Sequence, residues 1–169
     1  GGMRRSLDIL AAAILDKTPV AIVCDYDVDG LTGGAQLYEL LRRLDVPCTV
    51  HIPDRLTEGY GANARIVNEI KAAQYPTVVM IDLGTNNQKE ISELHALGAS
   101  VIVWDHHHPH GSEVLAAAVV NPHTSGAALQ EMSPCGSGIT ILALRALIAK
   151  EHLEDRIKSK DLLALAALG

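Results

Sequence analysis

Apolar positions in this chain follow two alternating textures. Val20-Ala21-Ile22-Val23-Cys24, Thr77 to Ile81 and Ser100 to Trp104 are short, nearly continuous apolar runs. A run apolar on both faces marks a strand buried in a parallel sheet. Cys48 to Ile52 fits the same reading, and Val119-Val120 fits a short fifth strand.

Between these runs the apolar residues take helical spacing. Leu7 to Leu15 predicts an amphipathic helix with Ser6 as its cap. Gly30 to Leu44 predicts a second, with Leu37, Leu40, Leu41 and Leu44 on one face. Ala62 to Ala73, started by Asn63, and Gln88 to Leu97, ended by Gly98, predict two more. Gly136 to Lys150 is apolar nearly all round, which predicts a well-buried helix. Asp161 to Leu168 begins another apolar helix. The longest loop runs from Asn121 to Pro134. This alternation predicts an α/β fold: a doubly wound, mainly parallel five-stranded sheet with helices on both faces. Ligands in such folds bind beyond the carboxyl ends of the strands.

Composition narrows the picture. The 169 residues suffice for one core, and with 3% aromatics and no Phe that core is Val, Ile, Leu and Ala. The net charge of −6 lacks the basic footprint of a large nucleic-acid surface. It leaves a nucleic-acid substrate open, because bound divalent cations offset negative charge. Cys24, Cys48 and Cys135 are widely spaced and read as reduced cysteines of a cytoplasmic protein. Neither a membrane span nor a signal peptide is apparent. Gly1 and Gly2 ahead of Met3 read as a cloning remnant.

Candidate chemistry sits at three strand ends: Asp25-Tyr26-Asp27-Val28-Asp29-Gly30, Asp82-Leu83-Gly84 and Asp105-His106-His107-His108. In a parallel sheet these ends share one edge. Clustered carboxylates stay ionised at low cost only with cations among them. Carboxylate oxygens with imidazoles suit Mn²⁺ or Mg²⁺, with Zn²⁺ as another option. Two ions about 3.5–4 Å apart can hold a hydroxide and clamp a phosphoryl group. Each piece has a plainer reading. The first loop alone also fits a solvated turn. A calcium loop needs Glu at its twelfth position, which here is Gln36. Asp82 alone reads as a cap, and the histidine run as an exposed loop. The joint occurrence on one edge favours the metal reading.

These residues resemble a family. Asp25-Tyr26-Asp27-Val28-Asp29-Gly30 after an apolar strand is similar to the first motif of the DHH phosphoesterases, in the RecJ branch. Asp82 with Gly84 resembles the second motif, and Asp105-His106-His107 the motif that names the superfamily. Ile52-Pro53-Asp54-Arg55 with Glu58-Gly59-Tyr60-Gly61, Asn121-Pro122 and Gly136-Ser137-Gly138 also fit the RecJ pattern. The resemblance runs from about Leu7 to Gly169.

It implies a Mn²⁺- or Mg²⁺-dependent phosphodiester hydrolase, and in the RecJ branch release of nucleoside monophosphates from the 5′ end of single-stranded DNA. By resemblance Asp27 and Asp29 each bind one metal, Asp82 bridges both and His106 completes one site. His107 touches the scissile phosphate, and Asp105 orients a histidine. Other DHH branches carry a histidine ligand where this chain has Val23, so Asp25 or a water supplies that oxygen. Arg55 is a candidate contact to substrate phosphate, with a surface salt bridge as its alternative reading. His108 and His110 read as bystanders. The glycines of Gly136-Ser137-Gly138 read as close packing of the helix on the sheet, or as an anion site at its N-terminus.

The pattern breaks at the end. RecJ chains carry a fourth-motif Asp shortly after a segment like Leu162 to Gly169, and a second domain across a cleft. Residues 3–169 therefore read as a DHH domain truncated before that motif, weak in metal binding and activity on its own. Competing readings are another DHH enzyme (a nanoRNase, a cyclic-dinucleotide phosphodiesterase or a pyrophosphatase) and a non-catalytic RecJ-like replication scaffold. A plain dinucleotide-binding domain lacks its Gly-x-Gly-x-x-Gly loop here.

Overall fold

The computed structural model describes residues 1–111, 114–124 and 127–169, without the side chains of 127–129. Five strands form one parallel sheet: β1 (Val20–Cys24), β2 (Cys48–His51), β3 (Thr77–Ile81), β4 (Ser100–Trp104) and β5 (Ala118–Val120). Their order is β2-β1-β3-β4-β5. The chain leaves β1 outward to β2, then returns across it to β3. The winding therefore reverses between β1 and β3, where doubly wound sheets open a crevice at their carboxyl ends.

Alternation along each strand divides the core in two. Val20, Ile22, Cys24, Val79, Ile81, Ile102 and Trp104 face one layer of helices. That layer holds α1 (Gly2–Asp16), α2 (Val28–Arg43), α6 (Gly136–Lys150) and α7 (Ser159–Ala166). Ala21, Val23, Val78, Met80, Val101 and Val103 face α3 (Ala64–Ala73) and α4 (Gln88–Ala96). Burial on both faces explains why these strands read as continuous apolar runs.

Several boundaries differ from the sequence reading. The first helix begins at Gly2, not Leu7, and Ser6 lies inside it. Its hydroxyl donates to Met3 O at 2.8 Å, so it is not the cap. The second helix starts at Val28 because Asp27 caps it, accepting from Gly30 N. Asn63 does cap α3, through Ile66 N, so the helix proper starts at Ala64. The second strand stops at His51, and the last helix starts earlier, at Ser159. The predicted loop 121–134 contains a short helix, α5 (Ala127–Met132); positions 125–126 of that prediction lie outside the described residues. All three cysteines are free thiols, and no described helix is long and apolar enough to cross a membrane.

Two glycines let α2 approach the sheet. A Cβ on Gly33 would stand 2.7 Å from Ile81 Cγ2, and one on Gly34 2.7 Å from Cys24 Sγ. This close approach brings the start of α2, with Asp27 and Asp29, down to the carboxyl edge of β1 and β3.

Candidate metal centre

Register alone brings the three clusters together. Cys24 pairs with Ile81, and Ile81 with Trp104. The next residues are Asp25, Asp82 and Asp105, side by side on three adjacent strands. The ladder continues into them: Asp25 N donates to Ile81 O, Asp82 N to Trp104 O and Asp105 N to Val120 O. All three are buried.

Asp82 sits at the centre in a left-handed conformation, φ 59°. His106 Nε2 lies 3.1 Å from Asp82 Oδ1 and 3.5 Å from Asp29 Oδ2, so one imidazole spans two carboxylates. Burial pushes the Asp82 carboxyl up to about 7; His106 opposes this, while Asp29 and Asp27 add to it. Burial also raises Asp25. His106 is raised, chiefly by the Asp82 carboxylate beside its Nε2.

Asp29 holds a second position. Its Oδ2 accepts from Gly136 N and its Oδ1 from Ser137 N, both at 2.7 Å. The anion at the start of α6 is thus the protein's own carboxylate, placed where the helix N-terminus favours negative charge. The glycine serves packing as well, since a Cβ on Gly136 would stand 2.7 Å from Asp82 Cβ. Beneath Ser137, a buried network joins α6 to α2: Gln36 Nε2 donates to Ser137 Oγ at 2.7 Å, and Thr32 Oγ1 to the same oxygen at 3.1 Å. Gly169 packs on the same spot, against Thr32 and Ser137.

Asp105 is saturated. Its Oδ1 accepts from His106 N, His107 N and His107 Nδ1, the last at 2.7 Å, and its Oδ2 from Thr85 N. These donors outweigh burial and hold the carboxyl down at about 2. An acceptor this fully engaged fixes an imidazole rather than a metal, and it raises His107.

From sequence Tyr60 is only part of a motif and carries no role of its own. Its hydroxyl donates to Asp82 O at 3.1 Å and lies 3.0 Å from His107 Nδ1. The tyrosine thus bridges the second and third clusters. A loop tyrosine gives no periodic signal, and only the fold brings it there.

The donor set fits divalent cations. Asp25, Asp27 and Asp82 place one oxygen each within 4.8 Å of one another, and Asp82, His106 and His107 form a second such group. Among the described residues, Asp25 Oδ1 is buried without a hydrogen-bond donor, and Asp82 Oδ1 lacks a well-aligned one despite His106 nearby. Buried anionic oxygens left this way carry a desolvation cost that a cation removes. Asp29 belongs to neither group, although it is close to His106. Val23 points into the α3/α4 core and offers no ligand.

Arg55 sits at the rim with its guanidinium 5.4 Å over the Tyr26 ring. Among the described residues this stacking, not a salt bridge, is the contact of Arg55. His108 stacks on His123, and the backbone at His108 and His110 is held by Asn86.

A model described as the DHH family, N-terminal domain, matches residues 19–169. The single-stranded-DNA-specific exonuclease RecJ of Bacillus subtilis is 31% identical over 99% of this chain and 20% of that protein. RecJ of Thermus thermophilus is 33% identical over 99% of the chain and 24% of that protein. The crystal structure of an exonuclease RecJ bound to manganese superposes with a TM-score of 0.87 at 33% identity, covering 98% of this chain and 42% of that one. The Thermus thermophilus RecJ structure in complex with Mn²⁺ gives 0.80 at 31%, over 98% and 23%. The chain therefore spans about a fifth to a quarter of the length of these two curated relatives. With its three motifs on one sheet edge and residues 19–169 matched throughout, this chain belongs to the DHH family.

Proposed function

We propose that this chain is the metal-binding lobe of a two-metal phosphodiester hydrolase that degrades single-stranded DNA from the 5′ end. The observation that carries the reading is the pair of buried, poorly satisfied oxygens, Asp25 Oδ1 and Asp82 Oδ1, among converging carboxylates and imidazoles. The RecJ relatives supply the substrate class, and manganese in two of their structures supplies the metal.

In this reading Asp27, Asp29, Asp82 and His106 hold two Mn²⁺ or Mg²⁺ ions, with Asp25 as a further oxygen beside Asp27. The bound ions supply hydroxide at neutral pH and offset phosphate charge. Asp105 holds His107 by Nδ1, which leaves Nε2 to face the scissile phosphate and stabilise its developing charge. Arg55 reaches a phosphate of the strand from its perch on Tyr26. These 169 residues hold a single strand weakly by themselves, because single-strand capture needs basic grooves and stacking platforms and this chain carries a charge of −6. A reduced, cytoplasmic setting suits the free thiols and the metal.

The test is Mn²⁺ titration calorimetry on this chain, with release of mononucleotides from 5′-labelled single-stranded DNA by the longest natural protein that carries it. Asp82→Ala should abolish both. Cleavage that survives Asp82→Ala, or a wild-type protein that binds DNA but no Mn²⁺, overturns the reading; the latter result would point to a scaffold.

A further inference from the structure

The loop at 53–61 carries both Arg55 and Tyr60, the two groups that approach the acidic cluster from the β2 side. Most of its order is internal. Asp54 Oδ1 accepts from Leu56 N and Thr57 N, and Asp54 O from Glu58 N and Gly59 N. Glu58 folds back so that its Oε2 accepts from Asp54 N at 2.8 Å. This knot is tied to the body of the protein by Arg65 in the first turn of α3. Arg65 Nε donates to Glu58 Oε1 at 2.6 Å and its Nη2 to Glu58 Oε2 at 2.8 Å, a two-point fork. The same Nη2 donates to Ile52 O at 3.0 Å, at the start of the loop. Nη1 donates to Glu69 Oε1 at 2.8 Å, and Glu69 Oε2 bonds the buried His51 at the end of β2. Asn63, the residue before Ala64, caps α3 and fixes where Arg65 projects.

We infer that Arg65 is a positioning residue: its fork to Glu58 and its bond to Ile52 O hold the 53–61 loop so that Tyr60 meets His107 and Asp82. The inference rests on the proposed hydrolase only for its effect on turnover. The geometry is specific. A planar guanidinium makes parallel bonds to a carboxylate that an ammonium cannot reproduce. The fork draws the Glu58 carboxyl down to about 2, with the Asp54 N–H helping. Arg65 leaves 43% of its side chain exposed, and exposed ion pairs add little to global stability. Its effect is therefore local: it decides where one loop sits, not whether the domain folds. Near the end of that loop the Tyr60 hydroxyl lies 3.0 Å from the nitrogen of His107 that Asp105 also holds.

The test compares wild type, Arg65→Ala, Arg65→Lys and Tyr60→Phe as ¹⁵N-histidine-labelled protein. Tyr60→Phe removes the hydroxyl and should shift the His107 ring-nitrogen signals. Arg65→Ala should shift them in the same sense, with Arg65→Lys between it and wild type. The amides of Glu58 and Gly59 should exchange about tenfold faster in Arg65→Ala, while the melting temperature stays within a few degrees of wild type. Glu58→Gln, which keeps the size and loses the charged fork, should repeat the pattern if Arg65→Ala proves unstable. A His107 signal unmoved in Arg65→Ala and Glu58→Gln overturns the inference, and so does one unmoved in Tyr60→Phe. On turnover, Arg65→Ala should lower single-strand cleavage by about tenfold through misplacement alone. If the longest natural protein that carries this chain cleaves no DNA while the His107 shifts appear, the hydrolase reading falls and the role of Arg65 stands.

Discussion

Gly136 donates its backbone N–H to Asp29 at 2.7 Å, and with Ser137 beside it both oxygens of that carboxylate are held by the start of α6. A residue proposed as a metal ligand is therefore also the cap of a buried helix. Asp29→Ala should cost about 1–2 kcal/mol of stability in metal-free protein. Asp29→Asn should not restore the wild-type value, because its amide NH2 must face one of the two N–H groups. Urea unfolding at neutral pH measures both; equal stability of Asp29→Ala and wild type would contradict the capping role.

Gly136→Ala probes the same contact from the other side. The added Cβ would stand 2.7 Å from Asp82 Cβ and 2.9 Å from Asp82 Oδ1. Neither neighbour can swing away, since Asp82 is 1% exposed and fixed by its backbone. The expected loss is about 1–3 kcal/mol, together with weaker Mn²⁺ binding. Thermal melts with and without Mn²⁺ should show the metal-induced gain shrinking.

Asp82 sets a pH dependence. Its folded pKa, about 7, lies above the ordinary carboxyl value of 3.8. The proton is bound more tightly in the folded state, so this stabilising contribution is full below about pH 4 and lost as pH rises through about 7. His106 and His107, also raised, act in the same sense. Metal-free protein should thus melt lower at pH 8 than at pH 5.5. Asp82→Asn should flatten the profile and stabilise the metal-free form at pH 8, while removing Mn²⁺ binding. A wild-type melting temperature that rises from pH 5.5 to 8 without metal would refute this.

Asp105 has the opposite sign. Held down at about 2, it contributes stability present above about pH 4 and lost as pH falls through about 2. Asp105→Asn turns an acceptor of four N–H groups into a group that must place its own amide against one of them. A loss of about 2–3 kcal/mol follows, with a drop of at least tenfold in phosphodiester cleavage as His107 loses its anchor. Trp104, the preceding residue and fully buried, reports the unfolding by fluorescence.

The sheet was legible because β1, β3 and β4 are buried on both faces. Their apolar runs end abruptly at an aspartate, which matches the observed limits of all three strands. The converging clusters were legible for the same reason: parallel register places successors of paired residues together. Helix starts were less so. Ser6 looks like a cap, yet its hydroxyl bonds within the helix, and the residues before it offered no apolar stripe. Asp27 looks only like a ligand, although it also caps α2. The role of Tyr60 and the fork of Arg65 with Glu58 depend on how a loop folds over a distant strand end, and no local periodicity encodes that. The contact of Asp29 with α6 spans more than a hundred residues.

The backbone of Asp82 narrows what sequence space can offer at the centre of the site. At φ 59° only glycine, asparagine and aspartate sit at small cost. Glycine removes the carboxylate and asparagine its charge, while glutamate keeps the charge but adds backbone strain and a methylene to a fully buried spot. Every single-residue exit from Asp82 thus gives up either the anion or an unstrained turn, so this one position sets both the charge and the backbone path at the carboxyl edge of β3.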